Sequence, residues 1–202
     1  MSSETPVIIR WDYAGKPDLL VGTGATPSER ALAWVAVLVA LSVYLVLHLA
    51  GRLDWRPWQY VVAGLIALDA GGGVVANSLN TCKRFYHAPL HDEESGIAAW
   101  AKNHAFFVAL HVHPLLVGVL YAGAGGLFYG LVWYGLLLLW SAVVLKAPLY
   151  LRRPIAMLGI LFALLVNTYL ITPVVGFEWL MPALFLKIVY GHLVREEPYR
   201  PA

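Results

Sequence analysis

The sequence predicts an all-α, polytopic transmembrane helical bundle of about six helices, with the N and C termini cytoplasmic. Of its 202 residues, 60% are hydrophobic and only 13% are charged, whereas soluble domains are about 45–50% apolar and about 25% charged. Eight Trp and eleven Tyr residues strengthen this prediction, because both favour the membrane–water interface. We therefore expect a multi-pass integral membrane protein.

Composition also limits the partners and the compartment. The single cysteine, Cys82, excludes an internal disulfide framework, and a net charge of +2 is too small to indicate nucleic acid. We expect membrane lipids as partners, and with them a larger membrane complex or a homo-oligomer. The first residues are too polar for a signal peptide, which together with Arg-rich inner loops favours a bacterial plasma (inner) membrane.

The chain divides into three parts. Residues 1–25 form a polar cytoplasmic N-terminal segment, 26–194 a six-helix transmembrane domain and 195–202 a cytoplasmic tail. The first helix begins at a capping box, with Thr26 as cap, Pro27 at the first helical position and Glu29 three residues after the cap. Its apolar run continues to Ala50 and is long enough to cross about 30 Å of hydrocarbon.

Five further helices follow from the apolar runs and their breakers. They are expected at Pro57 to about Asn80, Ala98 to Tyr121, Leu127 to Leu145, a fifth ending at Thr172, and Phe177 to about Val194. Pro173 and Gly176 break the chain between the last two. A count of five spans is the alternative if these last two segments are re-entrant.

Lys and Arg residues set the expected orientation, because cytoplasmic loops are enriched in them. With six spans, Arg52 and Arg56 lie on one side and Lys187 lies within the sixth helix. The other side, which we therefore take as cytoplasmic, holds Arg10, Lys16, Arg30, Lys83, Arg84, Lys102, Lys146, Arg152, Arg153, Arg195 and Arg200.

The stretch 69–114 holds the residues most suited to chemistry, including five of the seven histidines. Steps of three and four residues keep side chains on one helical face. Such steps predict a polar stripe of Asp69, Gly73, Asn77, Asn80, Arg84, His87 and His91. Pro89 disfavours helix in its last turn.

Asp69 is the most informative residue of this stripe. A carboxylate inside a span costs about 2.5–3.5 kcal/mol, so it needs a partner, a metal or a proton. We interpret Asp69 and Asn77 as candidate catalytic residues. The structural alternative is helix packing, with hydrogen bonds to a neighbouring helix and with Gly71–Gly73 permitting a close approach.

The third helix contributes His104 and His111, which are seven residues apart. They share a face but stand about 10 Å apart along the axis, so they cannot bind one ion together, and each can pair with a different residue of the second helix. His113 is expected to hydrogen-bond to another helix. In the sixth helix, Lys187 is expected to snorkel towards the cytoplasm, and His192 to lie near the surface.

Several histidines near a carboxylate favour a metal site, since neutral imidazole is the commonest metal ligand. We predict His87, His91, His104 and His111 as ligands of zinc, which would activate water for hydrolysis, or of non-haem iron, which would activate oxygen. Lys83 and Arg84 are candidate cofactor-binding residues, because beside Tyr86 they suit anionic headgroups.

The segment His87-Ala88-Pro89-Leu90-His91 resembles a histidine box of the integral-membrane fatty-acid desaturases and hydroxylases, and this resemblance would imply a di-iron site. The resemblance covers only this segment, and the His-His doublets of that family are absent.

Three functions remain open from the sequence. The first is a metal-dependent enzyme that oxidises or hydrolyses a lipid or another apolar small molecule. The second is a non-enzymatic subunit or scaffold of a larger membrane complex, in which the polar residues serve helix packing and headgroup contact. The third is a haem or quinone protein using His104 or His111, and it is less favoured because haem ligation by two histidines needs a facing partner.

Overall fold

The computed structural model describes residues 7–90, 94 and 96–201, and this part of the chain is mostly helical. Five of its helices are long and apolar enough to cross a membrane, which supports an integral membrane protein. The helices are, in chain order, α1 (Pro27–Leu49), α2 (Pro57–Ala76), α3 (Asn80–His87), α4 (Ile97–Lys102), α5 (His104–Tyr121), α6 (Gly126–Lys146), α7 (Leu149–Tyr169) and α8 (Leu180–His192).

Helix α1 begins where its capping box predicts. Thr26 Oγ1 accepts from Glu29 N at 3.2 Å, and Glu29 Oε2 accepts from Thr26 N at 2.8 Å. One stripe of the helix is buried, made of Ala33, Val37, Ala40 and Tyr44. This stripe packs against glycines of α2: a Cβ at Gly71 or Gly72 would lie 2.6 Å from a side-chain carbon of α1. The small residues of α2 therefore let the two helices approach closely.

Helix α2 is not a uniform α-helix. It is α-helical over Pro57–Ile66, widens to a π-helix over Ala67–Gly71 and returns to α-helix over Gly72–Ala76. The helix then ends at a turn, and α3 starts at Asn80, so the polar stripe predicted along one continuous helix is divided in two. At the far end, Ala88 is extended before Pro89, as the constraint on residues preceding proline requires.

Helix α5 is likewise interrupted. It consists of His104–Ala109 and His113–Tyr121, separated by a short turn, with Pro114 in the first turn of the second part. That second part packs tightly on α6, since a Cβ at Gly126 would lie 1.9 Å from the Gly118 carbonyl oxygen. The turn changes the direction of the side chains that follow it.

Helix α8 is shorter than the 177–194 segment predicted from the sequence. It is α-helical over Leu180–Leu184 and π-helical over Phe185–His192. At about 1.5 Å per residue it is about 20 Å long, less than the hydrocarbon thickness of about 30 Å. The preceding turn is packed into the bundle core, where Phe177 has no exposed surface.

Outside the helices, two strands pair with each other and one further segment packs on α3. Strand β1 (Val7–Ile9) pairs antiparallel with strand β2 (Tyr199–Pro201). Residues 18–22 lie against α3, with Thr81 Oγ1 donating to the Val21 carbonyl at 2.6 Å. Gly22 allows this approach, because it has φ +79° and a Cβ there would lie 2.2 Å from the Thr81 backbone.

Candidate functional site

Four ionisable side chains from three helices meet about 10 Å from the C-terminal end of α2, measured along its axis. We call Asp69, His111, His113 and Lys187 the charged cluster. Asp69 Oδ2 lies 2.5 Å from Lys187 Nζ, 3.1 Å from His113 Nε2 and 3.7 Å from His111 Nε2. The carboxylate predicted to need a partner therefore has a lysine and two imidazoles around it.

Both members of the ion pair lie in π-helical segments. Asp69 belongs to the π-helical part of α2, and Lys187 to that of α8. Gly73 leaves room for the lysine side chain, since a Cβ there would lie 2.5 Å from Lys187 Cε. Asn77 Nδ2 donates to the Lys187 carbonyl oxygen at 3.2 Å. π-Helical turns are rare in proteins, and those that occur are often found at functional sites. Two of them face each other here, which makes this region a candidate functional site.

The interruption of α5 brings two histidines to one carboxylate. His111 lies in the turn after the first part of that helix and His113 starts the second part, and their ring centroids are 5.5 Å apart. His111 Nδ1 lies 2.7 Å from the Phe107 carbonyl oxygen. This nitrogen must be the donor, because a carbonyl oxygen only accepts. The proton of His111 is thereby assigned to Nδ1.

Three members of the charged cluster, Asp69, His111 and Lys187, line a cavity of about 250 Å³, and we call their part of it the polar end. The other lining residues come from α1, α2, α5 and residues 18–21. They are mainly apolar and include Val37, Leu68 and Phe107. Trp34 and Leu68 also line the cavity and are exposed on the surface of the bundle. Arg30, another lining residue, pairs with Asp18 at 2.9 Å.

A second group of histidines lies at the N-terminal end of α5 and the C-terminal ends of α3 and α8. We call His87, His104 and His192 the histidine layer. His104 Nδ1 lies 3.0 Å from His192 Nε2, and His87 Nε2 lies 2.9 Å from the His192 carbonyl oxygen. The His192 ring stacks on Phe107, with centroids 3.7 Å apart. Burial lowers the pKa of His87 to about 3, so its imidazole is neutral at pH 7.

Lys83 and Arg84 both lie inside the fold, with 2% and 1% of their surface exposed. Lys83 Nζ donates to the carbonyl oxygens of Gly191 and Val194 at 2.6 and 2.8 Å. It also lies 3.4 Å from Glu196 Oε2. Burial lowers the pKa of Lys83. The side chain thus caps the carbonyl end of α8, where a cation interacts favourably with the helix dipole.

The four histidines predicted as metal ligands do not form one group. His87 and His104 belong to the histidine layer, His111 belongs to the charged cluster, and His91 lies outside the described residues. Within residues 7–90, 94 and 96–201, no group of three or more His, Cys, Asp or Glu side chains is arranged to hold a metal ion.

Three residues carry more of the site than the sequence analysis indicated. Lys187 was expected to snorkel, but it is buried against Asp69 with 3% of its side chain exposed. His192 was expected near the surface, but it is 1% exposed. His113 was expected to hydrogen-bond to another helix, and its ring contacts Asp69 of α2, the carboxylate that His111 also approaches. The sequence does contain a signal for Lys187, because an ionisable residue within an apolar run is costly and usually has a partner.

Comparison with known proteins identifies no relative from which a role could be transferred. No family model matches the sequence, and no curated protein or solved structure matches it. The function therefore has to be inferred from the charged cluster, the cavity and the histidine layer.

Proposed function

We propose that the chain crosses the membrane six times, with both its N-terminal and C-terminal segments in the cytoplasm. The pairing of β1 with β2 supports an even number of crossings, and the excess of Lys and Arg on that side supports its cytoplasmic location. Helix α8 would be the sixth crossing, completed by the turn before it. Non-helical backbone is tolerated at membrane depth where it is buried in protein, as it is around Phe177.

Maleimide labelling tests this orientation. Arg52→Cys and Arg195→Cys would be made singly in a Cys82→Ser background, since both arginines are exposed. A membrane-impermeant maleimide should label Arg52→Cys in intact cells, and Arg195→Cys only after the membrane is permeabilised. Labelling of both positions in intact cells would contradict the proposal.

We further propose that the protein binds a lipid-soluble small molecule, which enters the cavity from the inner leaflet and places its polar end at the charged cluster. The observation that carries this proposal is that Asp69 and His111 line a mainly apolar cavity together with Trp34 and Leu68, which are exposed on the surface of the bundle. Binding sites are typically concave and mainly apolar, with a few polar groups that set orientation. Ionisable residues inside a span are conventionally read as functional.

Co-purification tests the proposal. The protein would be extracted into nanodiscs without detergent, and the compounds bound to it identified by mass spectrometry against control membranes. Ala76→Phe should fill the cavity, which Ala76 lines, and should abolish retention of the bound compound. Ala142→Phe is the matched control, because Ala142 is exposed on α6. No enriched compound in the wild type, or equal retention by Ala76→Phe, would contradict the proposal.

The predicted zinc or non-haem iron site now depends on His91, which would have to join His87 and His104. Elemental analysis of purified wild type and His91→Ala tests it: near-stoichiometric metal that disappears in the variant would favour a metal-dependent oxidation or hydrolysis.

Binding in the cavity is proposed to use Asp69 and His111 directly. We therefore expect the cavity ligand to remain bound after treatment with EDTA.

A further inference from the structure

The polar end of the cavity offers acceptor atoms to a ligand. Lys187 and His113 both contact Asp69 Oδ2, and among the described residues no donor reaches Asp69 Oδ1. The side chain of Asp69 is 43% exposed, and it lines the cavity. An ionised carboxylate has acceptor capacity on both oxygens. Oδ1 therefore has acceptor capacity that a hydrogen-bond donor on a ligand can use.

His111 provides a second acceptor beside it. Its Nδ1 donates to the Phe107 carbonyl at 2.7 Å, so in the neutral ring Nε2 carries a lone pair and no proton. Nε2 lies 3.7 Å from Asp69 Oδ2, beyond the range of a direct hydrogen bond. The same nitrogen belongs to a residue that lines the cavity. A hydroxyl group placed between the imidazole and the carboxylate can donate its one proton to either acceptor.

We infer that the ligand is a neutral apolar alcohol or phenol whose hydroxyl group donates to Asp69 or His111. This inference rests on the proposed binding function and names its ligand class. The hydrocarbon part of the molecule lies along Val37, Leu68 and Phe107, and extends past Trp34 into the inner leaflet.

Charge at the polar end disfavours the two ionic alternatives. An anionic head would face two acceptors there, because the Lys187 ammonium is bonded to Asp69 and has 3% of its side chain exposed. Arg30, which also lines the cavity, is paired with Asp18. A cationic head would enter a site where the charges of Asp69 and Lys187 already balance. An uncompensated buried ion is unfavourable, whereas a hydroxyl group adds a donor and no charge.

Three probes with a common nonyl chain distinguish these classes. They are 4-nonylphenol, its methyl ether 4-nonylanisole, which cannot donate, and 4-nonylbenzoic acid, which is an anion at neutral pH. Binding would be measured by isothermal titration calorimetry to the full chain in lipid nanodiscs, with empty nanodiscs correcting for partitioning. We expect the phenol to bind the wild type at least about ten-fold tighter than the ether, as loss of one charge-assisted hydrogen bond implies.

The variant His111→Phe separates the hydrogen bond from the cavity. It should reduce the advantage of the phenol over the ether and leave ether affinity unchanged, which shows that the cavity is intact. An advantage that survives in full would assign the hydroxyl to Asp69, and the double variant Asp69→Leu/His111→Phe should then remove it. His48→Phe, at the exposed outer end of α1, should change neither affinity.

Equal binding of phenol and ether, or tightest binding of the acid, would overturn the hydroxyl inference while leaving the proposed binding function standing. No binding of any probe above the empty-nanodisc blank would overturn both.

Discussion

Replacing Lys187 with Met tests whether the buried ion pair holds α8 against α2. The change keeps a long unbranched side chain, so packing beside Gly73 survives while the ammonium is lost. Lys187 Nζ lies 2.5 Å from Asp69 Oδ2, and at an effective dielectric constant of about 20 the Coulomb attraction at that distance is about 7 kcal/mol. The cost of removing both ions from water offsets most of this attraction.

Removing one partner of a buried pair typically costs about 3–5 kcal/mol, because the other charge is left uncompensated. Two features lower the expected loss. The Asp69 side chain is 43% exposed to the cavity, and His113 Nε2 remains 3.1 Å away. We therefore expect Lys187→Met to reduce the free energy of unfolding by about 2–3 kcal/mol.

The double variant Asp69→Asn/Lys187→Met should regain at least half of that loss, because it leaves no charge without a partner. Stability would be measured by SDS unfolding in detergent micelles, followed by circular dichroism. Lys146→Met is the control, since Lys146 is exposed at the end of α6, and it should change stability by less than about 0.5 kcal/mol. A loss below about 1 kcal/mol for Lys187→Met, or strictly additive effects in the double variant, would refute the reasoning.

Three further outcomes are expected from residues outside the cavity. Gly126→Ala should lower the free energy of unfolding by about 2–3 kcal/mol, because its Cβ would lie 1.9 Å from the Gly118 carbonyl oxygen. Gly135→Ala is the control: its Cβ would meet nothing within 4 Å, so it should be neutral or stabilising in the same SDS titration. The pKa of His87 is about 3 in the folded protein against 6.5 ordinarily, so the unfolded chain binds the proton first on acidification. The free energy of unfolding should then fall from pH 6.5 towards pH 3 by up to about 1.4 kcal/mol per pH unit, and a pH series on His87→Gln that declines as steeply as the wild type would exclude His87 as the cause. Cys82 is 1% exposed, and burial raises the pKa of its thiol. N-ethylmaleimide should therefore leave it unmodified in micelles and label it in SDS. Rapid labelling of the folded protein would show that residues 18–22 do not cover it.

Local patterns in the sequence predict most of the helices. The start of α1 follows from the capping box at Thr26, and the other spans follow from apolar runs that end at Pro or Gly. Asp69 and His111 could be selected because polar groups inside a span are costly. These signals are contained within one helix, so they can be read without knowing which helices are neighbours.

The remaining features depend on contacts between helices. Lys187 pairs with a residue 118 positions away in the chain. The sequence of α8 does not contain this partner, so from that sequence alone the lysine is expected to snorkel. The turn between the two parts of α5 directs His113 to the carboxylate that His111 also approaches, although a continuous helix would point them apart. His192 is buried because Phe107 and Tyr86 cover its ring, and both belong to other helices.

The long separation of Asp69 and Lys187 in the chain has a consequence for biosynthesis. Ribosomes add about 5–20 residues per second, so the 118 residues between them take roughly 6–24 s to synthesise. During that interval α2 has no lysine partner, and an isolated charged carboxylate at that depth costs about 2.5–3.5 kcal/mol. His113 emerges first, so α2 and α5 can associate through an imidazole before α8 exists. Packing of α8 against α2 then completes the charged cluster as one of the last steps of assembly.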